Sequence, residues 1–339
     1  MNIEELKSVA NAIVARQKGV LAADESNPTI KKRFEPIQTE STEENRRRYR
    51  EILFTADGIE RYVGGVILFD EALRQHTRDG IPFPTLLASR GIIPGIKVDQ
   101  GAKALALCPG DKVTEGLDGL RERLAEYKQL GAQFAKWRAV IDIDEHQLPS
   151  AFCLRANAHA LARYAALCQE IGLVPIVEPE VLMDGAHGIE RCEVVTAQAL
   201  EAVFAELDAH HVLFEGMLLK PNMVIAGKKC PQQASVQAVA EATLRCLKRY
   251  VPAAVPGIVF LSGGQSAEDA TDHLNAMNAM GTQPWQVSFS YGRALQAPVL
   301  AAWQGQEGNA VAAQNALLTR CHLNGLARDG LYSRDMEAP

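Results

Sequence analysis

The stretch LVPIVEPEV at residues 173–181, followed by ERCEVVTAQALEAVFAELDAH at 190–210 and MLLKPN at 217–222, decides how this chain folds. The outer two pieces are short apolar runs of strand type, and the middle one has a helical pattern. Strand, helix and strand in that order imply two parallel strands joined by a crossover. The same pieces carry ionisable groups inside apolar runs. Glu178 and Glu180 stand two apart, so on an extended strand both carboxylates leave the same face. Lys220 follows GMLL directly, and Pro221 cuts the strand short. Burying a charge costs several kcal/mol unless it is compensated. Such groups point to a site that needs paired acids and a desolvated amine, and a desolvated lysine is a carbonyl-attacking nucleophile.

Outward from this unit the pattern repeats. Further apolar runs are VLAAD (20–24), VGGVILF (63–69), GIKVD (95–99), FAKWRAVI (134–141), IVFLSGG (258–264) and QVSFSYG (286–292). Helical segments such as SAFCLRANAHALARYAALCQEIG and QQASVQAVAEATLRCLKRYV lie between them. Eight strands alternating with helices predict an α/β fold, a closed (β/α)8 TIM barrel. An open doubly wound sheet is the alternative, but the GxGxxG turn that usually marks it is absent. Residues 1–19 read as an amphipathic helix closing on Gly19, an N-terminal helical extension with acids in its first turn and bases in its last. The Gly/Pro-rich stretch 80–95 reads as a loop. Residues 305–339 read as helical to about Leu326 and loose beyond it. No linker interrupts the chain, so a single domain is expected over 1–339, with barrel strands within about 20–292 and C-terminal helices and tail over about 294–339.

Composition narrows the function. Apolar residues make up 47% and charged residues 22%, the balance of a soluble protein with a sizeable core. The net charge of −6 argues against general nucleic-acid binding, because phosphate backbones reward cationic surfaces. The basic run Arg46, Arg47, Arg48 is flanked by Glu43, Glu44 and Glu51 and reads as a solvated helix face. The 7 cysteines are odd in number and never in CxxC spacing, which fits reduced thiols better than disulfides or a thiolate zinc site. No segment has the apolar core of a signal peptide or the length of a membrane span, so a cytoplasmic protein without membrane contact is expected.

In a barrel of this kind function sits at the carboxyl ends of the strands. The first run ends in Asp24, followed by Glu25 and Ser26. The third carries Lys97 and Asp99, and the fourth Lys136 and Arg138 on one face with Trp137 opposite. The fifth offers Glu178 and Glu180, the sixth Lys220 and Asn222. The seventh finishes in Ser262-Gly263-Gly264 and the eighth in Ser290-Tyr291-Gly292-Arg293. Any one of these residues alone reads best as a structural ion pair. Gathered in one mouth they do not, because buried ion pairs seldom stabilise relative to apolar packing. Glycines in the last two turns let backbone approach a ligand, and N–H groups at the following helix start bind phosphate. The residues therefore predict a phosphate-bearing carbonyl substrate, a nucleophilic lysine and carboxylates for proton transfer. Lysine titrates near about 10.4, so a neutral amine at pH 7 means disfavouring the ammonium by about 4 kcal/mol. Desolvation and a neighbouring cation act in that direction, and Lys136 is a candidate neighbour. Spacing alone leaves open which lysine attacks. A metal-dependent route needs about three converging ligands, yet His210 and His211 are adjacent and His187 stands alone. A non-catalytic scaffold binding partners through an acidic surface is the reading from another class.

The motifs GVLAADES (19–26), LFDE (68–71), GIKVD (95–99), FAKWR (134–138), IVEPE (176–180), LLKPNM (218–223), FLSGGQS (260–266) and SFSYGRALQ (288–296) together resemble those of the class I, Schiff-base fructose-1,6-bisphosphate aldolases. The resemblance covers roughly residues 10 to 330, with every motif in the family's order. It implies cleavage of fructose 1,6-bisphosphate to dihydroxyacetone phosphate and glyceraldehyde 3-phosphate, a sugar phosphate as the small-molecule partner, a homotetramer, and neither metal nor cofactor. Lys220 matches the lysine that attacks the ketone carbon. Glu178 matches the general acid/base of carbinolamine dehydration, with Glu180 its acidic neighbour. Lys136 matches the lysine that assists imine formation, and Asp24 the aspartate at the C4 hydroxyl. Lys97 and Arg138 match substrate-contacting positions. Ser26, Thr29 and Arg33 lie where the family meets the C6-phosphate end. Ser262, Gly263, Gly264, Ser290 and Arg293 match the C1-phosphate site. Two departures follow from the same likeness. Tyr332 is the one nearby candidate for the family's terminal tyrosine and is not terminal, which predicts slower release of dihydroxyacetone phosphate or another proton donor. Pro28 replaces a glycine common after DES, which predicts a stiffer loop at the C6-phosphate end.

Overall fold

The computed structural model of the protein describes residues 2–144 and 147–337. Parallel strands β1 (Gly19–Ala23), β2 (Val63–Leu68), β3 (Ile93–Lys97), β4 (Phe134–Ile141), β5 (Val174–Val181), β6 (Leu218–Leu219), β7 (Gly257–Phe260) and β8 (Gln286–Tyr291) form a closed barrel. Each strand pairs with its neighbours in sequence, and β8 closes on β1 with Val20 opposite Ser290. β6 is the shortest because Pro221 has no N–H to give to a ladder, although its carbonyl still accepts from Leu261 N at 3.1 Å. The crossover helices start where serines cap them. Ser150 accepts from Cys153 N, Ser235 from Ala238 N and Ser266 from Asp269 N, at 3.1, 3.2 and 3.0 Å.

Period-two alternation splits the strand side chains between two cores. Outward residues such as Trp137, Val177 and Leu219 join the large layer under the helices. Inward residues at the amino ends, among them Val20, Phe134, Val174, Ile176 and Leu218, form a second cluster with Leu6, Ala10 and Ile13 of the first helix. That helix therefore closes the bottom of the barrel. Phe134 fills the interior there, and a methyl added at Gly95 would overlap its ring.

Three local expectations change, and one insertion adds to the pattern. The first helix spans Ile3–Ile13 and stops well short of Gly19, which instead opens β1, so Arg16 and Lys18 fall beyond the helix and its last turn holds no base. Residues 80–95 are not all loop: Phe83–Ser89 is a helix, because Pro84 sits in a first turn that needs no N–H from it. Between β3 and its crossover helix Leu120–Gln129 the chain inserts an antiparallel hairpin, Ala102–Ala104 with Lys112–Thr114. The tail is tied down rather than loose. Helix Ala310–Arg328 runs past Leu326, and Arg334 then bridges Asp269 and Asp272 at 3.1 and 2.7 Å, while Glu337 meets Arg320 at 2.5 Å. All seven cysteines are free thiols, and among the described residues no helix is long and apolar enough to cross a membrane.

Candidate active site

A cavity of about 330 Å³ opens at the carboxyl ends of the strands. Every candidate residue lines it: Asp24, Ser26, Thr29, Arg33, Lys97, Lys136, Arg138, Glu178, Glu180, Lys220, Ser262, Gly263, Gly264, Ser290 and Arg293. The alternation explains the convergence. On β4, β5 and the ends of β1 and β6 the inward face continues upward from Phe134, Ile176, Ala22 and Leu218 to Lys136, Glu178, Asp24 and Lys220.

These last residues make one buried ionic cluster. Glu178, Lys136 and Lys220 are 3%, 3% and 4% exposed. Lys136 Nζ lies 2.7 Å from Asp24 Oδ2 and 3.1 Å from Glu178 Oε2; Lys220 Nζ lies 3.2 Å from Glu178 Oε1. Glu178 Oε2 meets Lys136 as a charge but has no aligned hydrogen bond. Burial on its own would push the Asp24 carboxyl up, but Lys136, Lys220 and Lys97 outweigh it and hold it well below the usual carboxylate range. Burial likewise opposes the charge on Lys136, and Asp24, Glu178 and Asp99 reverse that and keep it a cation. Lys136 thus supplies the positive charge anticipated near the amine, yet its own contacts are with the two carboxylates.

Around this centre lies a ring of cations. Lys97 Nζ is clamped 2.8 Å from Asp99 Oδ1, and Arg138 pairs with Glu180 through Nε. Arg33 pairs with Glu25, whose Oε1 also accepts from Gln296 Nε2 at 2.8 Å. Ser26 precedes helix Asn27–Phe34, and its hydroxyl lies 3.0 Å from that of Thr29. Pro28 occupies the first turn of this helix, where its fixed φ suits the helix. Across the cavity, among the described residues, the buried Ser290 hydroxyl has no hydrogen-bond partner and Arg293 makes no ion pair. Gly263 and Gly264 have φ of 55° and 81°, left-handed values that favour glycine.

Some of what the sequence offered stays outside the cavity. Asn222 is a brace: it accepts from Val181 N at 3.0 Å and donates to Thr196 Oγ1 at 3.0 Å. Tyr332 is held away, its hydroxyl donating to Glu337 Oε1 at 2.8 Å, and burial with that carboxylate pushes its pKa up. The histidines named for a metal route do not converge there either. Among the described residues the group able to gather a cation is His159, Glu206 and His210, on the outer helices Ala151–Ile171 and Ile189–Ala209. Conversely, Glu25, Asp184 and Lys228 line the cavity without having been proposed as site residues. Glu25 was legible beside Asp24. Asp184 and Lys228 lie in loops, where no periodicity points to them.

A barrel with a buried lysine beside carboxylates, cations around its mouth and a glycine turn after β7 is an enzyme acting on an anionic carbonyl compound. The chain belongs to the fructose-bisphosphate aldolase class-I family, whose pattern matches residues 5–339. It therefore catalyses the reversible aldol cleavage of fructose 1,6-bisphosphate to dihydroxyacetone phosphate and glyceraldehyde 3-phosphate. It is 57% identical over 333 residues to a probable fructose-bisphosphate aldolase class 1 of Xanthomonas campestris pv. campestris, covering 98% of this chain and 99% of that one. It is 53% identical over 330 residues to fructose-bisphosphate aldolase C of Carassius auratus, covering 97% and 91%. The Plasmodium falciparum aldolase, solved with TRAP and a small-molecule inhibitor, superimposes with a TM-score of 0.96 at 51% identity, covering 97% of this chain and 95% of that one.

Proposed function

We propose that cleavage runs through a Schiff base on Lys220, and the observation that carries this reading is the buried amine 3.2 Å from Glu178. Lys220 gives a proton to Glu178, the neutral amine attacks the ketone carbon, and Glu178 returns that proton to the departing hydroxyl of the carbinolamine, so water leaves and a protonated imine remains. Asp24, ionised in the resting site, accepts the C4 hydroxyl proton. The C3–C4 electron pair then moves into the iminium, freeing glyceraldehyde 3-phosphate and leaving an enamine on Lys220. Protonation at C3 and hydrolysis release dihydroxyacetone phosphate. Lys136 bridges Asp24 and Glu178 and balances their charge as protons move, with Glu180 fixing Arg138 beside them. Lys97 and Arg138 contact substrate, and Ser26, Thr29 and Arg33 face its C6-phosphate. Ser262, Gly263, Gly264, Ser290 and Arg293 take the C1-phosphate; the unpartnered Ser290 hydroxyl and unpaired Arg293 support that assignment. Borohydride reduction in the presence of dihydroxyacetone phosphate should attach one triose phosphate to Lys220 and abolish activity. Full activity after that treatment refutes the assignment.

We further infer a cytoplasmic enzyme acting in glycolysis and gluconeogenesis as a homotetramer, on family likeness alone. Sedimentation equilibrium should return four times the chain mass of 36.9 kDa. A monomer mass overturns that assembly.

A further inference from the structure

One cation in the cavity belongs to none of the roles above. Lys228 follows β6 in a loop whose backbone is pinned: Gly227 N donates to His187 O at 2.9 Å, Lys228 N to Met183 O at 2.7 Å and Lys229 N to Gly185 O at 3.0 Å. Its side chain is long, 42% exposed, and reaches over the glycine turn after β7. A methyl built on Gly264 would stand 2.5 Å from Lys228 Nζ and 3.7 Å from Arg293 Nη1. A loop cation and one from the start of helix Arg293–Trp303 therefore meet over one glycine.

Their pairing differs from that of the other cations. Arg33, Lys97, Lys136, Arg138 and Lys220 each face a carboxylate that is at most 9% exposed, which for Lys136 is Glu178. Arg293 has no such partner among the described residues. Lys228 has Asp184 at 3.2 Å, but that carboxylate is 68% exposed, and an exposed pair of this kind holds weakly. A phosphate dianion arriving beside Gly264 offers both cations a stronger partner.

We infer that Lys228 is a specificity-determining residue for the phosphate held between Gly264 and Arg293, and that Asp184 competes with that phosphate for its ammonium. The inference rests on the assignment of this end of the cavity to the C1-phosphate, the phosphate kept by dihydroxyacetone phosphate. Occupancy of the subsite breaks the Lys228–Asp184 pair, and release restores it. Lys228 thereby raises affinity for the ketose phosphate and not for the aldehyde half.

The test is steady-state condensation of the two triose phosphates by Lys228→Met, Lys228→Arg and Asp184→Asn. Lys228→Met should raise KM for dihydroxyacetone phosphate about fivefold and leave KM for glyceraldehyde 3-phosphate within about twofold. The KM rise should exceed any fall in kcat. Lys228→Arg should restore most of the affinity, and Asp184→Asn should lower the same KM about twofold. Equal rises for both trioses would reduce Lys228 to a general field effect, and a rise confined to the aldehyde would assign it to the opposite phosphate. Either result overturns the inference, as does a higher KM in Asp184→Asn. Calorimetric titration of inorganic phosphate into the resting enzyme needs no turnover and so judges Lys228 even if the cleavage reading failed. Unchanged phosphate affinity in Lys228→Met overturns the inference there too.

Discussion

The two ends of the barrel are built from the same strands and the same inward face, yet one is dry and apolar and the other ionic. On β5, Val174 and Ile176 lead to Glu178 and Glu180; on β4, Phe134 leads to Lys136 and Arg138. At the bottom Leu6, Ala10 and Ile13 pack against an apolar cluster of inward side chains. At the mouth, largely buried groups of both signs share a few ångströms. The lesson is a division of labour: close-packed apolar side chains stabilise, while ion pairs that contribute little net stability hold reactive groups in place. Replacing Lys220 by Ala should break the upper end completely. It should lower kcat on the order of 10⁵-fold, with little change in melting temperature. Retention of more than about a hundredth of the wild-type rate would deny that this amine is the nucleophile.

Lys136→Met sharpens the contrast, because it removes the cation between two acids. With Lys136 gone, burial weighs more heavily on Asp24 and its carboxyl pKa should rise. The acid limb of the pH–rate profile should then move to higher pH, with kcat down on the order of 10³-fold. An acid limb that stays in place would show that Lys136 does not set the charge of Asp24. The matching change below is Phe134→Ala, which leaves a hole beside Gly65 and Gly95. Stability should fall by about 3–4 kcal/mol in urea titrations, while kcat at low temperature stays within about threefold. A large kcat loss with intact stability would invert the comparison.

The ionic end was the more legible of the two from sequence. Charged residues inside apolar runs stand out, and a two-residue period assigns them to one face, as Glu178 with Glu180 and Lys136 with Arg138 illustrate. The apolar end gives no such contrast, since Phe134 and Val177 look alike in a string although one fills the barrel and the other lies under the helices. Loops were harder still. The helix at Phe83–Ser89 was hidden by Pro82 and Pro84, residues that break a helix interior and suit its start. Lys228 carries no periodic signature, and only the path of its loop brings it over Gly264. The tail read as loose because Arg334 and Glu337 find their partners on residues far away in sequence.

The smallest effect concerns a support behind the mouth. His273, on helix Ala267–Ala279, donates from Nδ1 to Gln265 Oε1 at 2.6 Å, and Gln265 Nε2 in turn donates to Ser262 O at 3.0 Å. Burial lowers the His273 pKa to about 4, with Asp269 pulling it up and Arg334 pulling it down. A folded-state value below the ordinary histidine value of about 6.5 means that the unfolded chain takes up the proton first. Stability should therefore fall as the pH drops from about 6.5 towards 4, by on the order of 3 kcal/mol from this residue. The urea midpoint of His273→Gln should vary less over that range than the wild-type midpoint. Equal slopes for the two proteins would mean that acid sensitivity over this range resides elsewhere than in His273, and not in Asp24, whose carboxyl is held too low to take up a proton before about pH 4.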